Sequence, residues 1–414
     1  MTEGTADLTI VHPWDPWSPR LGGYDTCIDG FLRHAPDSWR IEMIGVSTDL
    51  ERRPLGRRHQ LRYHGRPVSF LPVMHDPDPA TMRVVPLSLR FALACRGRRA
   101  RPQGKVVQFH RFESVFGMKL EPGRRKICFL HNHPQALVSA QSEVRWKHLQ
   151  GVFRLMLGHS LKDADAVWCV DPRSTASLER EVPALGGRVH WFPVWADPAD
   201  FYPGTESRRK SDRGSLRRRL HLARDVRIVI FAGRLESQKD PLLLVDAMAT
   251  LTKRHPDVQL LFVGQGRLEQ AILDRAAGLG LEERVHIHAP VTRHELSSFY
   301  RGCDVAVCSS AFESGARHVF ESLACGTPVV SFDVGQARSA LADLEDVGLL
   351  VERRDALSLA AGLERALACD GSPAFVARCA SAVAWATPQY ALSGIFRQYA
   401  NWFEAQVRNG VDEG

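Results

Sequence analysis

The stretch SSAFESGARHVFESLACGTPVVS, residues 309–331, holds two glutamates with seven residues between them. Glu313 sits in a loop of small residues, and Glu321 lies in a helical pattern, a distance of about two helical turns further on. Ser314, Gly315 and Ala316 are small enough for backbone N–H groups to come close to a ligand. The helical pattern begins near Arg317 and ends before Gly326 and Pro328. A helix start offers unpaired N–H donors and the positive end of the macrodipole, which suit a phosphate group. Carboxylates on either side of it would repel phosphates but accept hydrogen bonds from hydroxyls. The stretch therefore suits a ligand with hydroxyls at both ends of a diphosphate, the chemical form of a nucleotide sugar.

Outward from this stretch, DVAVCSS leads into it and PVVSF closes it. Similar apolar runs recur along the chain: LTIVHP, VVQFH, ICFLH and AVWCV, then RIVIFAG, QLLFVG and RVHIHA, alternating with helical patterns. Such alternation predicts parallel strands joined by crossover helices. A chain of 414 residues fits two domains of ordinary size. The two groups of strands are separated by FYPGTESRRKSDRGSLRRR, residues 201–219, which is polar, basic and poor in apolar side chains. It reads as a linker or exposed loop. The predicted fold class is α/β, with doubly wound parallel-sheet domains at 1–202 and 220–387 and an exposed basic linker at 203–219. In such sheets ligands bind beyond the carboxyl ends of the strands. A last helical pattern, residues 389–407, is apolar at Leu392, Ile395, Phe396, Tyr399, Trp402 and Phe403.

At the strand ends of the second domain, RIVIFAG runs into RLESQKDPLLLVDAM. Arg234 and Lys239 lie in the turn after Gly233, ahead of a helix with Pro241 near its start. Two cations above a helix start suit a diphosphate. QLLFVGQGRL supplies Gly264 and Gly266, a kind of glycine turn that is common by itself. No apolar run approaches the length of a membrane span. The opening MTEGTADLTIVHPW has neither the basic nor the apolar region of a signal peptide. Nine cysteines show no paired zinc spacing, and Cys303 and Cys308 fall in or beside apolar segments. Buried reduced thiols in a cytosolic protein are expected. The net charge of +7 is uneven: residues 1–200 carry 28 basic and 21 acidic side chains, residues 201–414 carry 26 of each. An anionic partner for the first half follows, and without a recognition motif it is not nucleic acid.

The pattern E-x7-E followed by LACGTPVV resembles the retaining glycosyltransferases of family 4, of the GT-B type with two Rossmann-like domains. GRLESQKDPLLLVDA resembles their donor-phosphate turn and FVGQGRL their Gly-rich loop. HELSSFYRGCDVAVCSSAFESG resembles the segment leading to the first Glu, and PVWADPADFYP the segment closing the first domain. Gly22 and Gly23 resemble the first strand-to-helix loop. These matches occur in order and at normal spacing over nearly the whole chain. The resemblance implies two domains facing a cleft and a C-terminal helix, 388–414, crossing back to the first domain. It implies transfer of a hexosyl-type sugar, with retention, from a nucleotide-diphosphate sugar to a hydroxyl acceptor in glycan, polysaccharide or glycolipid synthesis. No cofactor and no metal are implied.

Roles follow residue by residue from the resemblance. Arg234 and Lys239 would neutralise the donor diphosphate as charge develops on it, Glu313 would bind hydroxyls of the transferred sugar, and Glu321 would bind the ribose. The N–H groups of Ser314, Gly315 and Ala316, with Gly264, Gly22 and Gly23, would approach the sugar and diphosphate. His131, in ICFLHNHP, stands where many relatives carry a histidine beside the transferred sugar; a structural histidine at a strand end is the alternative. His110 and His133 are lesser candidates. The leaving phosphate would take the acceptor proton, so Glu313 is not assigned as a nucleophile. The sequence departs from the pattern at Gly315, where Phe is commonest, at Arg317 and His318, where apolar residues are usual, and at GQAR, 335–338. These departures bear on the identity of the donor sugar.

Asp76-Pro77-Asp78 has the D-x-D form that other glycosyltransferases use for a divalent cation, but it lies in a polar loop, DPDPA. Residues 84–105 join apolar Leu87, Leu89, Phe91, Ala92 and Leu93 to basic Arg90, Arg96, Arg98, Arg99, Arg101 and Lys105. A basic amphipathic segment predicts peripheral attachment to an anionic membrane surface and a lipid-linked acceptor, with a core helix and a solvated basic loop as the alternative. Two other readings stay open: another GT-B enzyme, such as a sugar phosphorylase or nucleotide-sugar epimerase, and a non-catalytic subunit. Retention of Arg234, Lys239, Glu313 and Glu321 together argues against the last.

Overall fold

The apolar runs become parallel strands because neighbours with Val, Ile and Phe on both faces can be covered by helices on both sides. The computed structural model describes residues 6–18, 22–77, 85–98, 100–132, 150–342, 344, 349–369, 371–387 and 395–409. They form two units, one running up to Phe192 and resuming at Ile395, the other Pro193–Gly394.

The first unit holds an eight-stranded sheet: β1 (Leu8–Val11), β2 (Ile41–Ser47), β3 (His59–Tyr63), β4 (Arg66–His75), β5 (Val106–Phe109), β6 (Arg125–Leu130), β7 (Ala166–Cys169) and β8 (Val189–Trp191). Its order is β3-β4-β2-β1-β5-β6-β7-β8. All pairings are parallel except the antiparallel β3–β4 hairpin. β2 is interrupted in sequence by Glu42, yet Glu42 is buried. Its carboxylate accepts from Thr9 Oγ1 at 2.6 Å, Arg58 Nε at 2.7 Å and Gln103 N at 2.7 Å, which offsets the cost of burying the charge.

The second unit holds β9 (Arg227–Ala232), β10 (Val258–Val263), β11 (Val285–His288), β12 (Val305–Cys308), β13 (Val329–Phe332) and β14 (Leu350–Val351), in the order β11-β10-β9-β12-β13-β14. Every pairing is parallel. The core of each unit is the layer between sheet and helices, with Ile228, Val229, Ile230, Leu260, Leu261 and Val305 fully buried in the second.

Three expectations are corrected. Residues 206–219 are not a linker but a helix, Glu206–Arg219, within the second unit, whose contacts begin at Pro193 rather than after 202. Thr205 caps the helix by accepting from Arg208 N at 3.2 Å. Its basic side chains read as solvated but are partly structural. Arg217 is buried and donates to the carbonyls of Val226 and Gly302 (2.9 Å each) and to Asp304 Oδ2 at 3.0 Å. Its Asp212 accepts from the buried Arg301 Nε at 2.6 Å. The last helix runs Ile395–Asn409, inside the first unit, and Leu392 lies outside the described residues. Tyr399 is buried against the rings of Phe31, Phe129 and Trp168, and Phe403 stacks on Trp39 at 3.8 Å.

The helix Leu87–Gly97 turns its apolar side inward, with Phe91 and Cys95 fully buried, Ala92 nearly so and Leu93 exposed. Of the predicted membrane face, Phe91 and Ala92 are therefore core, Leu87 and Leu89 are half-buried, and Leu93 alone is exposed. Arg98 Nε donates to Val73 O at 2.7 Å, Arg96 and Arg101 are exposed, and Arg99 lies outside the described residues. No described helix is long and apolar enough to cross a membrane.

Candidate functional site

The carboxyl end of the second sheet gathers the loop residues singled out above. β9 ends at Ala232, Gly233 follows it, and the turn Ser237–Lys239 leads to the helix Pro241–Leu251. Asp240, at φ 45°, caps that helix by accepting from Leu243 N. The turn is tied to the loop after β12: Ala311 N donates to Gln238 O at 2.8 Å, Gln238 Nε2 to Phe312 O at 3.1 Å, and Ser309 Oγ to Lys239 O at 2.8 Å. This lacing sets Lys239 Nζ on Glu313 Oε1 in a short ion pair, where Ser310 Oγ also donates at 2.6 Å. Burial alone would push the Glu313 carboxyl up. The charges of Lys239 and His318 and the two hydrogen bonds outweigh it, so the group lies below the ordinary glutamate range and stays ionised. Arg234 is exposed in the same turn, and its guanidinium makes no hydrogen bond or ion pair among the described residues.

The loop then tightens. Gly315 is buried where a Cβ would lie 2.2 Å from Val194 Cγ1, so no larger residue fits against this neighbour. Ala316 adopts φ 54°, a left-handed conformation that costs a non-glycine residue energy and is characteristic of functional loops. It precedes the helix Arg317–Ala324, whose N-terminus has no side-chain cap. Ser314 is half-buried. Gly335, in the departing GQAR segment, packs its backbone against Glu313 and Gly315. Gly264 lies where a Cβ would meet Gly233 O at 1.9 Å, so glycine is required for β10 and β9 to end side by side.

Glu321 is 8% exposed on the inner turn of that helix, and its carboxylate has no hydrogen-bond partner among the described residues. Burial raises its pKa against the opposing pull of Arg317, Arg293 and His318. Arg317 Nη1 donates to Trp195 O at 2.8 Å, and Arg293 pairs with Asp200 at 3.2 Å. The segment PVWADPADF therefore supports this site from within the second unit. Val194, Trp195 and Asp200 carried no signal of that in the sequence beyond the motif they belong to. Ser310, Cys308 and His318 were likewise missed as neighbours of Glu313. The ligand atoms of Cys308, Glu313 and His318 lie within 4.8 Å of one another, a set able to hold a soft divalent ion, although Glu313 is already paired with Lys239.

The carboxyl end of the first sheet is different. His12, His110 and His131 are each the residue after a strand, and those strands, β1, β5 and β6, are adjacent. All three histidines are buried. Gly22 and Gly23 are exposed at the start of the helix Gly23–His34, where Gly22 N donates to Asp25 Oδ2 at 2.7 Å. The next residue, Tyr24, packs its ring 4.3 Å from that of His131 and accepts from Asn132 Nδ2 at 2.8 Å. Burial lowers the pKa of His12 despite its contact with Asp25. Burial, with His131, His12 and Arg111 nearby, holds His110 well below its usual value. Asp76 is buried 3.8 Å from Arg90 Nη1, and Asp78 and His133 lie outside the described residues. The nine cysteines are free thiols, all buried but the half-buried Cys369.

Residues 212–380 match the family described as glycosyl transferases group 1. Among curated proteins, a D-inositol 3-phosphate glycosyltransferase from Xylanimonas cellulosilytica is 36% identical over 200 residues, 47% of this chain and 46% of that protein. The chain thus spans about half the length of the curated relatives it matches. Among solved structures, a sucrose-phosphate synthase from Thermosynechococcus elongatus superposes with a TM-score of 0.72 at 20% identity, covering 97% of this chain and 100% of that one. The Anabaena protein HepE, in complex with UDP-glucose, gives 0.66 at 18% identity, covering 97% and 100%. At these identities the likeness is one of fold, two parallel-sheet α/β domains of the GT-B kind.

Proposed function

We propose that this chain, whose residues 212–380 match the glycosyl transferases group 1 family, moves a sugar from a nucleotide-diphosphate sugar to a hydroxyl acceptor. The observation that carries this reading is the loop after β12. It sets an ionised, buried Glu313 beside Lys239 and places Glu321, whose carboxylate has no hydrogen-bond partner among the described residues, one turn into a helix whose start has no side-chain cap. A diphosphate fits between, held by Lys239, Arg234 and the first N–H groups of the helix. Glu313 accepts hydrogen bonds from the transferred sugar, and Glu321 from the ribose. Lys239 and Glu313, paired with each other in the structure, would each meet a different part of the donor.

As the glycosidic bond to the diphosphate breaks, positive charge grows at the anomeric carbon and negative charge on the leaving phosphate. Cations already in place stabilise that charge without reorganising, which is the strongest help such a site can give the reaction. No side chain is placed as a nucleophile. We assign transfer with retention, the leaving phosphate taking the acceptor proton on the same face, and no metal, because Arg234 and Lys239 supply the positive charge. On the first unit, His131 and the Gly22–Gly23 turn are assigned to the donor sugar and diphosphate. HepE, with UDP-glucose, supports a nucleotide sugar as donor. The Xylanimonas relative, named for inositol 3-phosphate, supports a small phosphorylated polyol as a candidate acceptor, beside a lipid-linked sugar.

A donor panel tests the reading. UDP-, GDP- and ADP-sugars are scored for thermal shift and slow hydrolysis, since a ligand that binds the folded state stabilises it. One nucleotide sugar is expected to raise the melting temperature and to be consumed faster with acceptor. Turnover that instead demands free phosphate would make the protein a phosphorylase, and no binding at all would make it a non-catalytic subunit.

A further inference from the structure

A buried hydrogen-bonded chain links the last helix to His131 through side chains that the proposed transfer leaves without a role. Tyr399 Oη donates to Gln108 Oε1 at 2.5 Å. Gln108 Nε2 lies 2.5 Å from His110 Nε2, and His110 Nδ1 lies 2.8 Å from His131 Nε2. Gln108, His110 and Tyr399 are at most 1% exposed and His131 is 8% exposed. We propose that Tyr399, Gln108 and His110 are positioning residues that fix the tautomer of His131, with the proton on Nδ1 and the lone pair on Nε2.

The polarity follows from what each group can do. An amide oxygen only accepts and an amide nitrogen only donates. With Gln108 Oε1 taken by the tyrosine hydroxyl, Gln108 Nε2 faces His110 Nε2, which must accept. A neutral imidazole accepts through one nitrogen and donates through the other, so His110 Nδ1 carries the hydrogen and gives it to His131 Nε2. His110 is held neutral chiefly by its burial, as this ordering requires. Phe129 stacks on its ring at 4.9 Å and 14°, which restrains rotation. His131 is left with one protonated nitrogen, Nδ1, and any ligand group that meets it meets a donor. A sugar hydroxyl would then be met through its oxygen.

Cys27 Sγ also lies within 4.8 Å of a ring nitrogen of His110 and of His131. A metal ion there would need the lone pairs of both nitrogens, whereas the 2.8 Å contact places one proton between them. The chain of donors is therefore the reading the geometry favours over a metal centre. That the tautomer is fixed stands on this geometry alone; that it matters for turnover rests on the assignment of His131 to the donor sugar.

The test uses the full chain with 15N-labelled histidine and long-range 1H–15N correlation, which separates Nδ1–H from Nε2–H. Wild type is expected to show His131 as a single Nδ1–H species. Gln108→Met keeps the length of the side chain but removes the donor, and is expected to leave His131 in a mixture of both forms. Tyr399→Phe lets the amide reverse and is expected to give a smaller admixture in the same sense. Thermal melts of both variants confirm that they fold, and the milder Tyr399→Phe keeps the test alive if Gln108→Met does not. An Nε2–H species or a mixture in wild type overturns the proposal. So does an unmoved tautomer in folded Gln108→Met, and an unmoved tautomer in Tyr399→Phe removes Tyr399 from the chain. Added Zn2+ that shifts the Nδ1 of His110 and the Nε2 of His131 together would assign a metal centre in its place. In turnover assays, kcat at saturating donor is expected to fall about tenfold in Gln108→Met, the effect of one misdirected hydrogen bond. A shifted tautomer with unchanged kcat and KM would uphold the hydrogen-bonded chain and remove the role of His131 at the sugar.

Discussion

The two sheets end in opposite chemistry. Beyond β9 and β12 stand Lys239, Glu313, His318 and Glu321, all ionisable and set around a helix start. Beyond β1, β5 and β6 stand three histidines among aromatic rings, two of them, His12 and His110, pushed toward the neutral form by burial. Both edges use the same architecture, so the fold alone selects neither. The difference teaches that parallel strand ends offer a place, while the residue immediately after each strand decides what binds there. Charges in place suit diphosphates and their departure; neutral imidazoles suit hydroxyls, which need donors and acceptors but no net charge.

The largest effect expected at the charged edge comes from its cations. Lys239→Ala or Arg234→Ala should lower the transfer rate by about 10²-fold or more, the order lost with one preorganised transition-state donor. Steady-state rates at saturating acceptor measure it, and near-wild-type rates in both variants would break the comparison by moving the diphosphate elsewhere. Glu321→Gln should weaken donor binding about tenfold, read by calorimetry, because a charge-assisted hydrogen bond to the ribose becomes a neutral one.

The same variant tests whether the carboxylate is held there at a cost. A carboxyl whose folded pKa is raised above its unfolded value binds more protons when folded, so its destabilising effect appears as pH rises through that window. Glu321→Gln should therefore raise the melting temperature at neutral pH, with the gain fading as pH falls below the ordinary glutamate range. A gain that persists unchanged in acid would mean that burial is not what raises the group.

Smaller effects concern what the two edges do not share. The protein is expected to bind anionic vesicles weakly at low salt through exposed Arg96 and Arg101, and to lose this in Arg96→Glu/Arg101→Glu. With the apolar side of that helix in the core, sedimentation should be electrostatic and reversed by salt; equal binding to neutral vesicles would refute it. Last, excess EDTA should leave activity unchanged, since Lys239 and Arg234 provide the positive charge. A strict metal requirement would return attention to Asp76 and to the Cys308–Glu313–His318 set.

Strands whose both faces are apolar were legible in the sequence, as RIVIFA and VQLLFV show. Those that mix in polar residues were not: β2 hides its buried Glu42 behind partners far along the chain, and β3, HQLRY, is largely polar and pairs in a hairpin. The helix Glu206–Arg219 looked like a linker because composition cannot distinguish an arginine in water from Arg217, whose donors are used up by carbonyls and Asp304. At the candidate site the motif glutamates and the cationic turn were visible. The pairing of Lys239 with Glu313 was not, since 74 residues separate them and only the lacing of two loops brings them together. His110 was visible as a lesser candidate, but its partners Gln108 and Tyr399 were not, for the tyrosine arrives from the other end of the chain.

That late arrival has a consequence for how the molecule is made. Domains usually fold in the order in which they leave the ribosome. Here the second unit is complete at Gly394, while the first still lacks Tyr399 and Phe403, which fill the space between Phe31, Trp39, Phe129 and Trp168. The nascent chain therefore carries a first sheet whose strands are complete but whose aromatic face is still uncovered through the synthesis of the whole second unit. The part begun first is sealed last, and a ribosome that stops before Tyr399 releases one finished half and one half still exposed to chaperones and proteases.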